Sequence, residues 1–304
     1  MRCFYIGQFL PQHRTECYVK YALEQNGVDV VNWHLGNTDH YSTVQEAAQK
    51  IRPDFILFSK QFAGFFPQLI EWAKQSGIPT VCWQWDLFIG YRSGPLPRHF
   101  AMVDLLLTTD GGHDHRWQEF GINHKVLRQG IHMPEARMLH GHLRNDLAFF
   151  GHLSSNRPRF HLMRFLKHRL PHTLLHTHVR GLSLNKALAE TKIVIGDTYP
   201  SKNYWSNRVY EITGRGGFLM MPETEGLDQE YTDGVHYASY KRVTEDGGAD
   251  LLQKIDHYLN DDTDRNAIRT AGFLHTVDNY TYTGRVHELL GHVRDLLGAR
   301  VCKS

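Results

Sequence analysis

Short apolar runs alternate with helical patterns along almost the whole chain, and few folds accept that order. In the first half, residues 2–6, 28–33, 54–58, 79–83, 104–109 and 125–128 read as strands. Helical segments at 15–26, 44–51 and 66–76 lie between some of them. Gly27 and Gly77 follow two of these segments, and glycine stops a helix because it takes the left-handed conformation without a Cβ penalty. A second series has strands at 147–151, 173–179, 192–196, 217–221 and 236–240. Its helices fall at 158–169, 183–190, 207–214, 248–259 and 263–272. This alternation predicts parallel, doubly wound α/β sheets. A length of 304 residues suits two such domains. We place them at 1–145 and 146–284, with 285–304 as a closing amphipathic helix. Two doubly wound domains put the ligand crevice at their strand C-termini, in the cleft between them.

Several classes drop out early. The turn after the first strand reads Gly7-Gln8-Phe9-Leu10-Pro11, so the glycine fingerprint of dinucleotide-binding dehydrogenases is missing. No run of about 18 apolar residues exists, so no membrane span is expected. The N-terminus opens directly as a strand, without a signal-peptide layout. Cys3, Cys17, Cys82 and Cys302 are scattered. That pattern suits reduced thiols in a cytoplasmic protein better than a disulfide framework or a zinc site. The 21 histidines produce metal-like spacings by number alone, such as His113/His115 and His172/His176/His178, so no metal is assigned to them.

The net charge of +2 conceals a strong asymmetry. Residues 147–189 carry seven Lys/Arg and no Asp/Glu, whereas 190–304 carry 13 Lys/Arg and 18 Asp/Glu. A block that basic implies an anionic partner. One reading is that it serves a phosphorylated small molecule. The other is that it also meets a polyanion, because 157–169 interleaves Arg157, Arg159, Arg164, Lys167 and Arg169 with Phe160 and Phe165.

The richest motif runs from Tyr204 to Gly234. It reads as a polar loop, a short helix with Glu211, the Gly216-Gly217 turn, a buried strand and an acidic loop. A loop that feeds a helix start beside Arg208 is an anion site, since free N–H groups and the helix dipole point the same way. Glu211, one turn on, can reach a sugar hydroxyl. Phosphate plus ribose is the recognition problem a nucleotide or nucleotide-sugar poses.

Ser206-Asn207-Arg208, Glu211, Gly214 to Gly217, Gly226-Leu227 and Asp233-Gly234 together resemble the nucleotide-sugar half of GT-B glycosyltransferases, in the CgeB-like branch. The resemblance covers roughly the last third of the chain. It implies a GT-B fold, two Rossmann-like domains facing across a cleft, with the last helix crossing back onto the first domain. It implies a nucleotide-sugar donor, UDP-sugar favoured, a retaining reaction and no essential metal. Such enzymes commonly carry two glutamates with seven residues between them, the second of which contacts the ribose. Here Glu211 takes that second place and Asn203 stands in the first.

On this resemblance the second domain holds the donor through Glu211, Asn207, Ser206, Lys202 and Arg208, with Gly151 and Ser154 of the preceding loop near the phosphates. Arg208 is also assigned a catalytic role, because negative charge builds on the departing diphosphate. Asp86, after the fourth strand, is the first choice for a general base if configuration inverts, and His113 is the other cleft residue. Each of these two is also a plausible turn or cap residue. Asp262-Thr263-Asp264 matches a metal-binding string of other glycosyltransferases but stands at a helix start, so we read it as a cap. Acceptors left open are a hydroxymethylated base in DNA, as in phage enzymes of this architecture, a protein, a polysaccharide or a small molecule. An epimerase, a phosphorylase and a non-catalytic sugar-nucleotide binder also remain open.

Overall fold

A computed structural model describes residues 1–36, 41–87, 94, 98–112, 114–151, 157–171, 173–176 and 179–301. They form two compact units, Met1–Gln129 with Tyr282–Ser304, and Gly130–Thr281.

The first unit contains strands β1 (Arg2–Gly7), β2 (Asp29–His34), β3 (Phe55–Ser59), β4 (Thr80–Gln84), β5 (Leu105–Thr108) and β6 (His124–Val126). They pair in parallel in the order β2-β1-β3-β4-β5-β6. Helices α1 (Thr15–Gln25), α2 (Tyr41–Ile51), α3 (Pro67–Gln75), α4 (Arg98–Met102) and α5 (Asp114–Glu119) connect them. All five residues of β3 and of β4 are buried, which is why these strands read as continuous apolar runs rather than as alternation.

The second unit contains β7 (Asn145–Phe150), β8 (Leu174–His176), β9 (Thr191–Ile195), β10 (Leu219–Pro222) and β11 (Ala238–Tyr240). Their parallel order is β11-β10-β9-β7-β8. Helices α6 (Arg157–Arg169) and α10 (Ala249–Asn260) pack on one face of this sheet. Helices α7 (Leu182–Ala189) and α8 (Arg208–Thr213) cover the other. A short turn, α9 (Val243–Asp246), precedes α10, and α11 (Asp262–Asn279) follows it.

The last helix, α12 (Tyr282–Val301), belongs to the first unit. Tyr282, Val286, Leu289, Leu290 and Val293 are buried in one cluster with Tyr5, Val19 and Leu23. Its apolar stripe follows the helical period and finds its partner in α1 and β1. Residues 130–145, read from sequence as part of the first domain, pack with the second unit. Asn185 donates to the carbonyls of Glu135 and Arg137, at 2.8 and 2.9 Å, and fixes the segment there. Among the described residues no helix is long and apolar enough to cross a membrane.

Candidate functional site

In a doubly wound sheet, ligands bind at strand C-termini where the strand order reverses. In the second unit that point lies between β7 and β9. Arg208 lies across it. Its Nε donates to the Phe150 carbonyl at the end of β7, and its Nη1 to Asp197 beyond β9, both at 2.9 Å. Arg159, from the first turn of α6, donates to the other Asp197 oxygen at 2.8 Å. Both guanidinium groups lie over the Phe149 ring, at 4.9 and 5.6 Å, where the ring's negative face favours them. Two cations thus share one carboxylate, whose side chain is only 5% exposed. Formally the triad keeps one positive charge. Burial pulls the Arg208 pKa down to about 10 against the opposing pull of Asp197, so the group stays charged at neutral pH.

Gly151 is required by this arrangement. Its φ is 151°, and a Cβ there would overlap the Arg208 guanidinium. Ser206 donates to the Asp197 carbonyl at 2.8 Å, which ties the loop after β9 to the start of α8. Asn207 precedes α8 without a side-chain cap. With six residues, α8 is too short for the dipole argument made from sequence. Positive charge at this edge comes from side chains instead.

One turn along α8, Glu211 accepts from Nε and Nη2 of Arg215, at 3.1 and 3.0 Å. Arg215 is fully buried and also pairs with Glu135 and with Asn185. This second cluster holds two carboxylates against one guanidinium. It keeps a formal negative charge, and the Glu211 side chain remains 18% exposed. The described residues place no partner on its Oε1. A group with net positive charge therefore stands about one helical turn, roughly 5 Å of rise, from one with net negative charge.

The other sequence candidates sit elsewhere. Lys202 forms an exposed pair with Glu225 at 2.9 Å, the geometry of a surface salt bridge. Asn203, at the first glutamate position, has φ 51° and accepts from Gln229 at 3.3 Å. Asp86 follows β4 and pairs with Lys60 at 3.0 Å. His113 and Ser154 lie outside the described residues. Asp261 caps α11 by accepting from the Asp264 N–H at 2.9 Å, while Asp262 and Asp264 pair with Arg265 and His257. Of the basic segment 147–189, Arg159 turns inward. His161, Arg164, Lys167, His168 and Arg169 are exposed on α6, and Phe160 stands out beside them at 55% exposure.

Sequence reasoning missed Asp197, Arg215 and Glu135, and it read Arg159 as part of a polyanion-binding face rather than as a partner of Asp197. It also missed Glu16, at the strand-order reversal of the first sheet, between β1 and β3. Glu16 is 2% exposed, and its Oε1 has no partner among the described residues. A Cβ on Gly7 would come within 2.5 Å of Ser59 Oγ and 2.9 Å of Glu16 Cγ, so a glycine there makes room for the carboxyl. Burial raises the Glu16 pKa, opposed by backbone N–H groups and by Lys60 and Arg14. An acid in the first turn of a helix reads as ordinary dipole matching, so nothing in the sequence separated it from its kind.

Residues 132–291 match the family described as glycosyl transferase-like, which is more than half of the chain. The chain belongs to that family. The matched stretch contains both charge clusters on and around α8, and this glycosyl transferase-like chain shares its fold with solved structures at about 10% identity. HepE of Anabaena, solved in complex with UDP, is 10% identical, with 97% of this chain and 100% of that one covered and a TM-score of 0.63. Sucrose-phosphate synthase from Thermosynechococcus elongatus is 8% identical, with 98% and 100% covered and a TM-score of 0.68. An α-glucosyltransferase solved with UDP and a 13-mer DNA containing an HMU base is 10% identical, with 98% and 99% covered and a TM-score of 0.67. Identities this low establish the fold, GT-B with two Rossmann-like α/β units, and nothing finer. No curated protein matches the chain by sequence.

Proposed function

We propose that this protein transfers a sugar from a nucleotide-sugar, UDP-sugar in first place, to a hydroxyl acceptor. The pairing of opposite charge excesses around α8 supports the reading most strongly. The Arg208–Asp197–Arg159 triad faces the diphosphate, and Glu211, held by Arg215, accepts from the ribose hydroxyls. The bond between the anomeric carbon and the phosphate oxygen breaks, and a bond to the acceptor oxygen forms. Charge that develops on the leaving diphosphate is met by Arg208, whose position is fixed before reaction by Phe150 and Asp197. UDP in first place agrees with the UDP bound by HepE and by the α-glucosyltransferase.

Retention of configuration follows from the family resemblance, with the acceptor proton passing to the leaving phosphate. In an inverting reaction Asp86, which pairs with Lys60 at 3.0 Å, takes that proton. Metal independence is supported by the engagement of Asp262 and Asp264 at the start of α11. The free thiols of Cys3, Cys17 and Cys82 suit a cytoplasmic setting. Among acceptors we favour a hydroxymethylated base in DNA, in the manner of bacteriophage DNA modification. The exposed cationic and aromatic face of α6 suits a phosphate backbone, and one structural neighbour holds HMU-containing DNA.

The test is donor turnover. The protein is incubated with UDP-, GDP-, CDP- and ADP-sugars, with and without hydroxymethylcytosine-containing DNA, and released nucleoside diphosphate is followed. Release from a UDP-sugar that rises with the modified DNA supports donor and acceptor together. Release that is indifferent to DNA keeps the transferase and removes the DNA acceptor. No release from any donor would falsify the transferase reading.

A further inference from the structure

A pocket of about 220 Å³ opens on the α6 side of the second sheet, over the C-terminal ends of β9, β10 and β11. At ~10–15 Å³ per water-sized group, it has room for roughly 15 to 20 such groups. Leu162, Pro200, Pro222, Tyr240 and Val243 supply mainly apolar walls. Its polar lining is dominated by donors. Arg159 contributes a guanidinium. Arg242 contributes another, held by one bond from Nη1 to the Thr198 carbonyl at 3.1 Å.

Thr198 also lines the pocket. It is 2% exposed, and its Oγ1 has no hydrogen-bond partner among the described residues. A buried hydroxyl without a partner is costly and uncommon in a folded protein. Asp197, the carboxylate in the lining, is already shared by Arg159 and Arg208. The pocket therefore combines an excess of positive charge, an unanswered hydroxyl and an apolar floor.

We propose that this pocket is a second ligand site, for a small molecule that joins an acidic head, carboxylate or phosphate, to an apolar body. The acidic oxygens accept from Arg242 and from the Thr198 hydroxyl. The body lies against Leu162, Pro200, Pro222 and Val243. Burial lowers the Arg242 pKa, and a bound anion opposes that shift. Arg159 and Asp197 line this pocket as well as the donor triad, whereas Arg242 and Thr198, which hold the acidic head, have no part in the donor reading.

The experiment uses the full chain with phenyl phosphate and benzoate as probes, each titrated by ligand-observed NMR with and without saturating UDP. We expect saturable binding of at least one probe, and the tighter of the two identifies the head group. We expect it to survive UDP and to weaken at least about tenfold in Arg242→Ala and several-fold in Thr198→Val, an isosteric change that serves if the first variant folds poorly. Absence of saturable binding overturns the proposal. So does displacement of the probe by UDP, or equal binding by wild type and both variants. Probe binding by a protein that does not bind UDP upholds the pocket and removes the donor site.

Discussion

Both sheets reverse their strand order beside their first strand, between β1 and β3 in one unit and between β7 and β9 in the other. At the first reversal stand Glu16, Ser59 and Tyr5, with Ser59 donating to the Tyr5 hydroxyl at 3.2 Å. At the second stand Arg208, Arg159 and Asp197. One edge buries a carboxyl with an unanswered oxygen. The other buries two guanidinium groups against one carboxylate. The same topology thus carries opposite chemistry. Backbone geometry fixes where a ligand sits, and a few side chains fix the sign of the charge it must bring. The cationic edge suits phosphates, and the carboxyl edge suits a hydroxyl that donates a hydrogen bond.

Arg215→Met should have the largest effect. It leaves Glu135 and Glu211 without their shared cation, and breaking a buried pair costs about 3–5 kcal/mol. Denaturant unfolding measures this, and a loss below about 1 kcal/mol would show that the cluster is not a structural unit. Next comes Arg208→Lys. A point charge cannot reach both Phe150 and Asp197 in the guanidinium geometry, so turnover of the donor should fall about 100-fold. Unchanged turnover would detach Arg208 from the chemistry.

Glu16→Gln probes the opposite edge. Its folded pKa lies above the unfolded value of 4.5, so the folded state holds the proton to higher pH. Stability therefore falls as pH rises from about 4.5 through the folded pKa. The variant should lose that slope and gain up to about 1 kcal/mol at pH 7.5, read as the difference between unfolding curves at pH 5 and 7.5. A slope equal to wild type would mean that Glu16 is not the group responsible.

The smallest effect lies away from both edges. His236 and His275 stack with centroids 3.9 Å apart. Burial, then the His275 charge, lowers the His236 pKa from 6.5. A depressed histidine contributes stability above the unfolded pKa that is lost as pH falls below it. His236→Gln should reduce the fall in Tm between pH 8 and pH 5 by about 1 °C, and an equal fall in both proteins would contradict the assignment.

Much of the fold was legible because β3, β4 and β9 are short apolar runs bounded by helical patterns. The position of α8 and of Glu211 on it was legible for the same reason, since a strand and the Gly216-Gly217 turn fix what precedes them. Arg215, four residues on from Glu211, stood at the ordinary helical pairing distance and was passed over; the more distant partners were not legible. Glu135 and Arg215 are 80 residues apart, and Arg159 and Asp197 are 38 apart. Each pair is made only when the sheet closes, and a single arginine on a helix carries no mark of the carboxylate it will meet. Lys202 shows the reverse case. Its place in the motif loop suggested phosphate, and the fold turns it outward to Glu225.

The most direct test is calorimetric titration of UDP into wild type and Glu211→Gln. The amide keeps the shape of the side chain and removes the charge that meets Arg215 and, as proposed, the ribose hydroxyls. The account predicts one UDP site in wild type and at least about tenfold weaker binding in the variant, with the fold intact by circular dichroism. Equal affinity in the two proteins, or no UDP binding in wild type, would contradict it.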